Sequence, residues 1–478
     1  MKSNYFKAFL LLFAFVIALG CADDDTNTTT RGPIAFELTP EMMQFTGAGG
    51  NTIMNVHLNG DRAWTVSGVP SWVTASAMSG TGNGQVGLAV AANEVEEART
   101  ATITVTSNTE TKTFTIEQAG MAQTGIVYAI PPDSSNMSSM TSVQLTAEMG
   151  TGWNLGNTLE AIGGETAWGN PMVTRAFIDA VKAAGFNTIR IPVSWSQFSN
   201  EADFTINATW MSRVQEVVDY ALANNMYVIM NEHWDGGWMQ PTNDKQAYVN
   251  NRLAIMWTQI ATHFRNYDYH LIFAGTNEVM VEGDFGTPTS EYYSVQNGFN
   301  QTFVNAVRST GGRNAYRYLT VQGFNTNIDH TVNFAEVPED VTANRLLMEV
   351  HYYDPYNFAL NEDSTISQWG SIATNPALTE TWANESFVDA QFQKMKTNFV
   401  DQGVGVILGE FGAISRTDVA GHETFREYYV NYISNSARAH GLVPVYWDNG
   451  ANGNHSFSIF NRNTGAVLYP GILDAILP

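Results

Sequence analysis

Apolar and polar positions alternate in two different rhythms along this chain, and the change of rhythm divides it. Between Ile34 and about Gly120 the period is two. In Thr100-Ala-Thr-Ile-Thr-Val-Thr106 the residues Ala101, Ile103 and Val105 share one side and threonines the other. After the polar Ser107-Asn-Thr-Glu110, a second alternating run turns Phe114 and Ile116 inward. Alternation on both sides of a short turn predicts a hairpin of a half-buried sheet. Several such strands in so short a stretch predict a small β-sandwich over residues 34–120.

From residue 136 to residue 478 apolar runs of strand length alternate with amphipathic helical stretches. Val173, Phe177, Ile178 and Val181 make a helical stripe that stops at Gly185, a natural C-cap. Trp210, Val214, Val217, Val218 and Leu222 make the next stripe. Strands are expected at Gly152–Glu160, Phe186–Trp195, Tyr227–Asp235, His270–Val279, Tyr316–Asn325, Arg345–Asp354, Val404–Ala413 and Leu442–Asn449. This is the rhythm of an α/β protein, a (β/α)8 barrel behind a small all-β domain.

The remaining segments lie outside both folds. Residues 1–20 carry Lys2 and Lys7 ahead of an apolar run from Ala8 to Leu19, too short to span a bilayer and flanked like a signal peptide. The single cysteine of the chain, Cys21, closes that segment. Ala18-Leu-Gly-Cys21 resembles the bacterial lipoprotein signal, with Ala18 where that signal usually carries Leu. The resemblance implies lipidation of Cys21 and a membrane anchor. Asp23, Asp24 and Asp25 resemble the export signal of Bacteroidetes surface lipoproteins, which implies an outer-membrane, cell-surface protein. Residues 21–33 are Thr/Asn-rich and read as a tether. Residues 121–135, with Pro131-Pro132, read as a linker.

Charge narrows the partners. A formal net charge of -23 without a basic stripe argues against nucleic acid, whose affinity rests on phosphate contacts. A neutral substrate fits better, and the many Trp and Tyr residues include some at loop-proximal positions where a sugar ring would stack.

In a barrel of this kind reacting groups sit at the C-terminal ends of the strands. The predicted strand ends carry Asn154 and Asn157, Arg190, His233, Thr276-Asn277-Glu278, His351-Tyr-Tyr353, Gly409-Glu410 and Trp447. Glu278 and Glu410 both follow apolar runs, where a carboxylate is costly unless paired or used. Two structural ion pairs, for instance with Arg190, would be the bland account. Two carboxylates facing one another are what glycosidic hydrolysis needs: an acid for the leaving oxygen and a carboxylate to meet the anomeric carbon.

Two family resemblances sharpen this reading. Pro70-Ser-Trp-Val-Thr74 and Phe114-Thr-Ile-Glu-Gln118 resemble the BACON domain, read here as a spacer, with Trp64 and Trp72 expected in its core. Thr188-Ile-Arg-Ile-Pro-Val-Ser-Trp195, Asn231-Glu-His-Trp234, Asn277-Glu278, His351-Tyr-Tyr-Asp-Pro355, Gly409-Glu-Phe-Gly412 and Trp447 together resemble glycoside hydrolase family 5, of clan A. The resemblance implies Glu278 as acid/base and Glu410 as nucleophile of a retaining enzyme. It implies that Arg190 and Tyr353 hold Glu410, that Asn277 meets the sugar 2-hydroxyl, and that His351 tunes Glu278. It also places His233 in the catalytic set and Trp447 beneath the reacting sugar. Trp234 stands where many members carry a second histidine. Gly152-Trp-Asn-Leu-Gly-Asn-Thr-Leu-Glu160 and Thr166-Ala-Trp-Gly-Asn170 resemble subfamily 4, which makes Asn157 and Trp168 candidate sugar contacts. The expected activity is endo-β-1,4-glucanase on xyloglucan, mixed-linkage glucan or cellulose, without metal or cofactor, by a monomer. A β-mannanase on the same barrel and a catalytically silent glycan-binding lipoprotein are the alternatives.

Overall fold

The computed structural model describes residues 36–120 and 126–478, apart from 46, 48, 94, 96, 234 and 235. Cys21 and Trp234 therefore lie outside the described residues. Those described form two compact units, taken separately below.

The first unit is a two-sheet sandwich. Its strands are β1 (Phe36–Thr39), β2 (Met42–Phe45), β3 (Gly50–Leu58), β4 (Ala63–Ser67), β5 (Val73–Ala75), β6 (Ser79–Thr81), β7 (Gly84–Val90), β8 (Arg99–Ser107) and β9 (Glu110–Gln118). They form sheets of order β1-β3-β7-β5 and β2-β9-β8-β4-β6. The predicted hairpin is β8–β9, with Ala101 opposite Ile116 and Ile103 opposite Phe114. Asn108 takes a positive φ of 55° at its turn, a conformation Asn tolerates. Trp64 is buried and donates its indole N–H to the Gly82 carbonyl at 3.0 Å. Trp72 is partly buried against the same core, with the Arg99 guanidinium 4.3 Å above its ring. Both tryptophans are thus committed to the sandwich.

The second unit is a closed barrel of parallel strands: β10 (Gly152–Leu155), β11 (Thr188–Ile191), β12 (Tyr227–Asn231), β13 (Leu271–Ala274), β14 (Leu319–Gln322), β15 (Leu346–Tyr352), β16 (Gly405–Phe411) and β17 (Leu442–Asp448), which pairs back to β10. Each strand is shorter than its apolar run predicts. The runs continue past the last ladder bond into loops that stay buried, and period alone does not mark where pairing stops. One consequence is that Glu278 and His233 lie beyond the ends of β13 and β12, in loops over the barrel mouth.

The predicted helical stripes lie in helices Arg175–Ala183 and Ala208–Leu222. The first is capped by the Thr174 side chain accepting from the Phe177 N–H, and Gly185 follows its end with φ 117°. Val173 and Ile178, just before the cap and in the first turn, are both buried, the arrangement of a hydrophobic staple.

Alternation along the barrel strands sorts their side chains into two cores. Trp153, Ile189, Val228, Met230, Met348, Val406 and Leu408 pack outward against helices. Ile229, Ile272, Leu347, Ile407, Val443 and Val445 fill the lower interior, closed by Leu145 and Met149 of the helix Ser142–Met149. Above that apolar plug the inward positions turn polar: Asn154, Arg190, Asn231, Gln322 and Glu349 are all fully buried. A barrel filled with oil below and charge above leaves its chemistry at one end.

Candidate active site

Glu410 would face outward if β16 kept its phase, because Leu408, two residues before it, packs against the helices. The ladder between β15 and β16 instead shifts register, pairing Val350 with Leu408 and then His351 with Glu410. Gly409 is the extra residue of this bulge, which turns Glu410 into the barrel mouth. Glycine is required there by space: a Cβ would sit 2.1 Å from Oε1 of Glu349. The Asn154 amide clamps the bulge, donating to the carbonyls of Gly409 at 2.8 Å and of Val445 and Tyr446 at 3.2 Å.

Arg190, fully buried, is the hub of the site. Its Nη1 donates to Oε1 of Glu410 at 2.9 Å and to Oδ1 of Asn154 at 3.0 Å. Nη2 donates to Oδ1 of Asn277 at 2.6 Å, and Nε lies 2.8 Å from Oε1 of Glu349. The second oxygen of Glu410 accepts from the Tyr353 hydroxyl at 3.0 Å. Burial pushes the Glu410 carboxyl above its ordinary pKa; His351 and Arg190 oppose this, and Glu278 adds to it.

Glu278 stands in a different environment, its side chain 37% exposed. Its Oε1 lies 2.6 Å from Nδ1 of His351, whose Nε2 lies 3.2 Å from Glu349. Burial works against charge on His351, but Glu410, Glu278 and Glu349 together outweigh it and raise its pKa to about 9. At neutral pH both ring nitrogens therefore carry protons and both donate. Burial likewise opposes charge on Glu349, yet Arg190 and His351 hold its pKa down at about 2.

Sequence reasoning named Arg190, Asn277, Glu278, His351, Tyr353 and Glu410, and the structure joins all six in one bonded network. His233 and Trp447 stand beside it with parallel rings, centroids 6.1 Å apart. His233 accepts at Nδ1 from the Asn231 amide at 3.1 Å. Burial and the nearby Arg190 and His351 charges hold its pKa well below the ordinary histidine value, so it stays neutral. Trp447 lies opposite Asn154 in the β10–β17 ladder and packs directly over Gly156, where a Cβ would meet its indole at 2.8 Å.

Asn157 and Trp168 fall on the loop after β10. Asn157 has φ 56°, its backbone N–H donates to Glu160, and its carbonyl accepts from the Asn170 amide at 2.8 Å. Trp168 is 47% exposed. Beside Glu278 opens a recess lined by Trp238, Met239, Gln240, Asn277 and Met280. Sequence reasoning missed Glu349, although a lone acid inside Leu346-Leu-Met-Glu-Val350 was the available signal. Glu278, His351 and Glu410 place one ligand-type atom each within 4.8 Å of one another, so an oxygen of Glu278 and one of Glu410 are no further apart than that. Carboxyl groups ~5 Å apart suit attack on the anomeric carbon, whereas ~6.5–9.5 Å is needed to seat a water between.

A buried carboxylate facing a partly exposed partner at the C-terminal mouth of a (β/α)8 barrel is the arrangement of a glycoside hydrolase. The family profile "Cellulase (glycosyl hydrolase family 5)" matches residues 154–453, and the chain belongs to that family. The profile of BACON, described as a putative N-terminal binding domain, matches residues 62–119. Endoglucanase A of Paenibacillus barcinonensis is 43% identical over 72% of this chain and 91% of its own length. A xyloglucan-specific endo-β-1,4-glucanase of Bacteroides ovatus is 36% identical over 98% of this chain and 95% of its own. Among solved structures, the Bacteroides ovatus xyloglucanase in complex with a XXXG heptasaccharide superposes with TM-score 0.72 at 37% identity, covering 92% of this chain and 99% of that one.

Proposed function

We propose that the protein is a retaining endo-β-1,4-glucanase acting on internal bonds of plant β-glucans, with xyloglucan as its first candidate substrate. The observation that carries the mechanism is the approach of Glu278 and Glu410 to within 4.8 Å, one buried and one open to solvent. Arg190 and Tyr353 each hold one oxygen of Glu410, leaving the carboxylate fixed and ionised for attack on C1. Glu278 gives its proton to the leaving oxygen as the C1–O bond breaks, then takes one from the water that cleaves the ester. His351 supports the second state, since its N–H stabilises the carboxylate that Glu278 becomes. Asn277, held through its Oδ1 by Arg190, keeps its amide N–H for the 2-hydroxyl, and Trp447 offers an indole face beneath the reacting sugar.

Xyloglucan is favoured because the Bacteroides ovatus relative, which matches 98% of this chain, is named for that specificity. Initial rates on xyloglucan, carboxymethylcellulose, mixed-linkage glucan, glucomannan and xylan test it. A preference for xyloglucan supports the reading, a preference for linear glucan replaces the substrate, and inactivity on all of them overturns the enzyme. We place the protein on the bacterial outer membrane as a monomer, anchored through a lipid on Cys21. Release of the native protein from cells by a Cys21→Ser change is the test. No helix among the described residues is long and apolar enough to cross a membrane.

A further inference from the structure

Glu349 is a fully buried carboxylate in contact with both cations of the site. Its Oε1 is 2.8 Å from Nε of Arg190 and 3.2 Å from Nε2 of His351. Oε2 accepts from the Gln322 amide at 2.7 Å. Gln322 is fixed in turn by the Thr276 hydroxyl, which donates to its Oε1 at 2.8 Å, two residues before Glu278. The bulge at Gly409 has no Cβ because Glu349 occupies that space. Strands β11, β14 and β16 thus meet β15 at one carboxylate that takes no part in bond making.

A count of charges gives it a task. The retaining reaction takes Glu278 as the acid and Glu410 as the attacking carboxylate, so with Glu349 an anion and Arg190 and His351 cations the cluster starts neutral. Glu410 then attacks C1, the C1–O bond breaks, and the leaving oxygen takes the proton of Glu278. Glu410 becomes a neutral ester and Glu278 an anion. The negative charge has moved off the carboxylate bonded to Arg190 and onto the one bonded to His351. Without a second anion, Arg190 would be left as a buried, unpaired cation in the covalent intermediate, at large cost.

We propose that Glu349 is the fixed counter-ion of the reaction, a positioning residue that keeps Arg190 and His351 both compensated whichever glutamate carries the charge. This rests on the retaining reading of Glu410 given above. Its effect is asymmetric. Formation of the glycosyl-enzyme neutralises the other of the two carboxylates that Arg190 contacts among the described residues, and so depends on Glu349. Hydrolysis of the ester restores that partner, and does not.

The test uses the full-length protein and 2,4-dinitrophenyl 2-deoxy-2-fluoro-cellobioside, whose leaving group needs no acid. Trapping is followed by loss of activity and by the mass of the labelled Glu410 peptide, and recovery by the return of activity with added cellobiose. In Glu349→Gln, trapping is expected to slow at least about tenfold while recovery is unchanged or faster. Glu349→Asp, which keeps the charge but draws it back, should fall between the variant and the wild type, and serves alone if the Gln protein does not fold.

A pH profile adds a readout that a purely structural role would not move. Among the described residues, the charged and titratable groups around His351 are Glu278, Glu349, Glu410, Tyr353, Arg190 and His233, from five different strands or their loops. Loss of one anion makes His351 release its proton more readily, so the alkaline limb of kcat/KM moves to lower pH in Glu349→Gln. Equal slowing of trapping and recovery with the limb unmoved overturns the proposal, as does no change in either. A wild type that is not labelled at Glu410 overturns the retaining reading itself.

Discussion

Replacing Tyr353 by Phe removes a single oxygen from the site. That oxygen donates to Oε2 of Glu410 at 3.0 Å, while Oε1 stays bound to Arg190 at 2.9 Å. The ring keeps its edge-on packing against Phe457, with centroids 6.2 Å apart, so the change is local. A hydrogen bond to a charged group is worth about 1.5–3 kcal/mol. If the transition state needs it in full, kcat/KM falls roughly ten- to 150-fold. Arg190 still aims the carboxylate, which places the expected loss toward the lower end, roughly tenfold. The pH dependence carries a sign as well. Burial already pushes Glu410 above its ordinary pKa, and the Tyr353 hydroxyl is one of the groups pulling it back. Without it the carboxyl ionises at higher pH, so activity dies sooner as the solution is acidified and the acid limb moves up. Initial rates of an aryl cellobioside across the pH range measure both effects. A loss under about threefold with the acid limb unmoved would refute the claim that this bond holds the nucleophile ionised.

Glu410→Ala is expected to lower turnover at least about 1000-fold, with azide restoring part of it as the α-glycosyl azide. Glu278→Ala with azide should give the β-glycosyl azide, and exchanged products would reverse the two roles. Gly156→Ala places a methyl group 2.8 Å from the Trp447 indole and 2.7 Å from the Asp448 carbonyl. Overpacking of that kind costs about 1–3 kcal/mol, so melting temperature should fall together with kcat/KM. Deleting residues 34–120 should leave kinetics on soluble glucan unchanged if the sandwich is a spacer, and a rise in KM would show that it binds substrate.

The sequence announced the barrel because its two core faces impose an apolar–polar rhythm that helices and strands keep separately. It announced Glu278 and Glu410 because a carboxylate at the end of an apolar run is expensive unless used, and Arg190, His351 and Tyr353 as polar strand ends that match the family's motifs. Glu349 escaped that reasoning: it sits mid-run, and only the contacts of its carboxylate with Arg190 and His351 reveal why a charge is tolerated there. The orientation of Glu410 escaped it too. Period two along Ile407-Leu-Gly-Glu410 sends the glutamate outward, and the bulge that reverses it depends on the register of a neighbouring strand. Strand ends were overrun for a related reason, since burial outlasts pairing. Glu278 thus belongs to a loop beyond β13, held over the mouth by His351.

The central claim is a double displacement at C1, and the anomeric form of the first product reads it directly. Proton NMR of a cello-oligosaccharide or xyloglucan digest, taken before mutarotation, should show the β-anomer appearing first at the new reducing end. The α-anomer appearing first would mean single displacement by water, and would contradict Glu410 as the nucleophile.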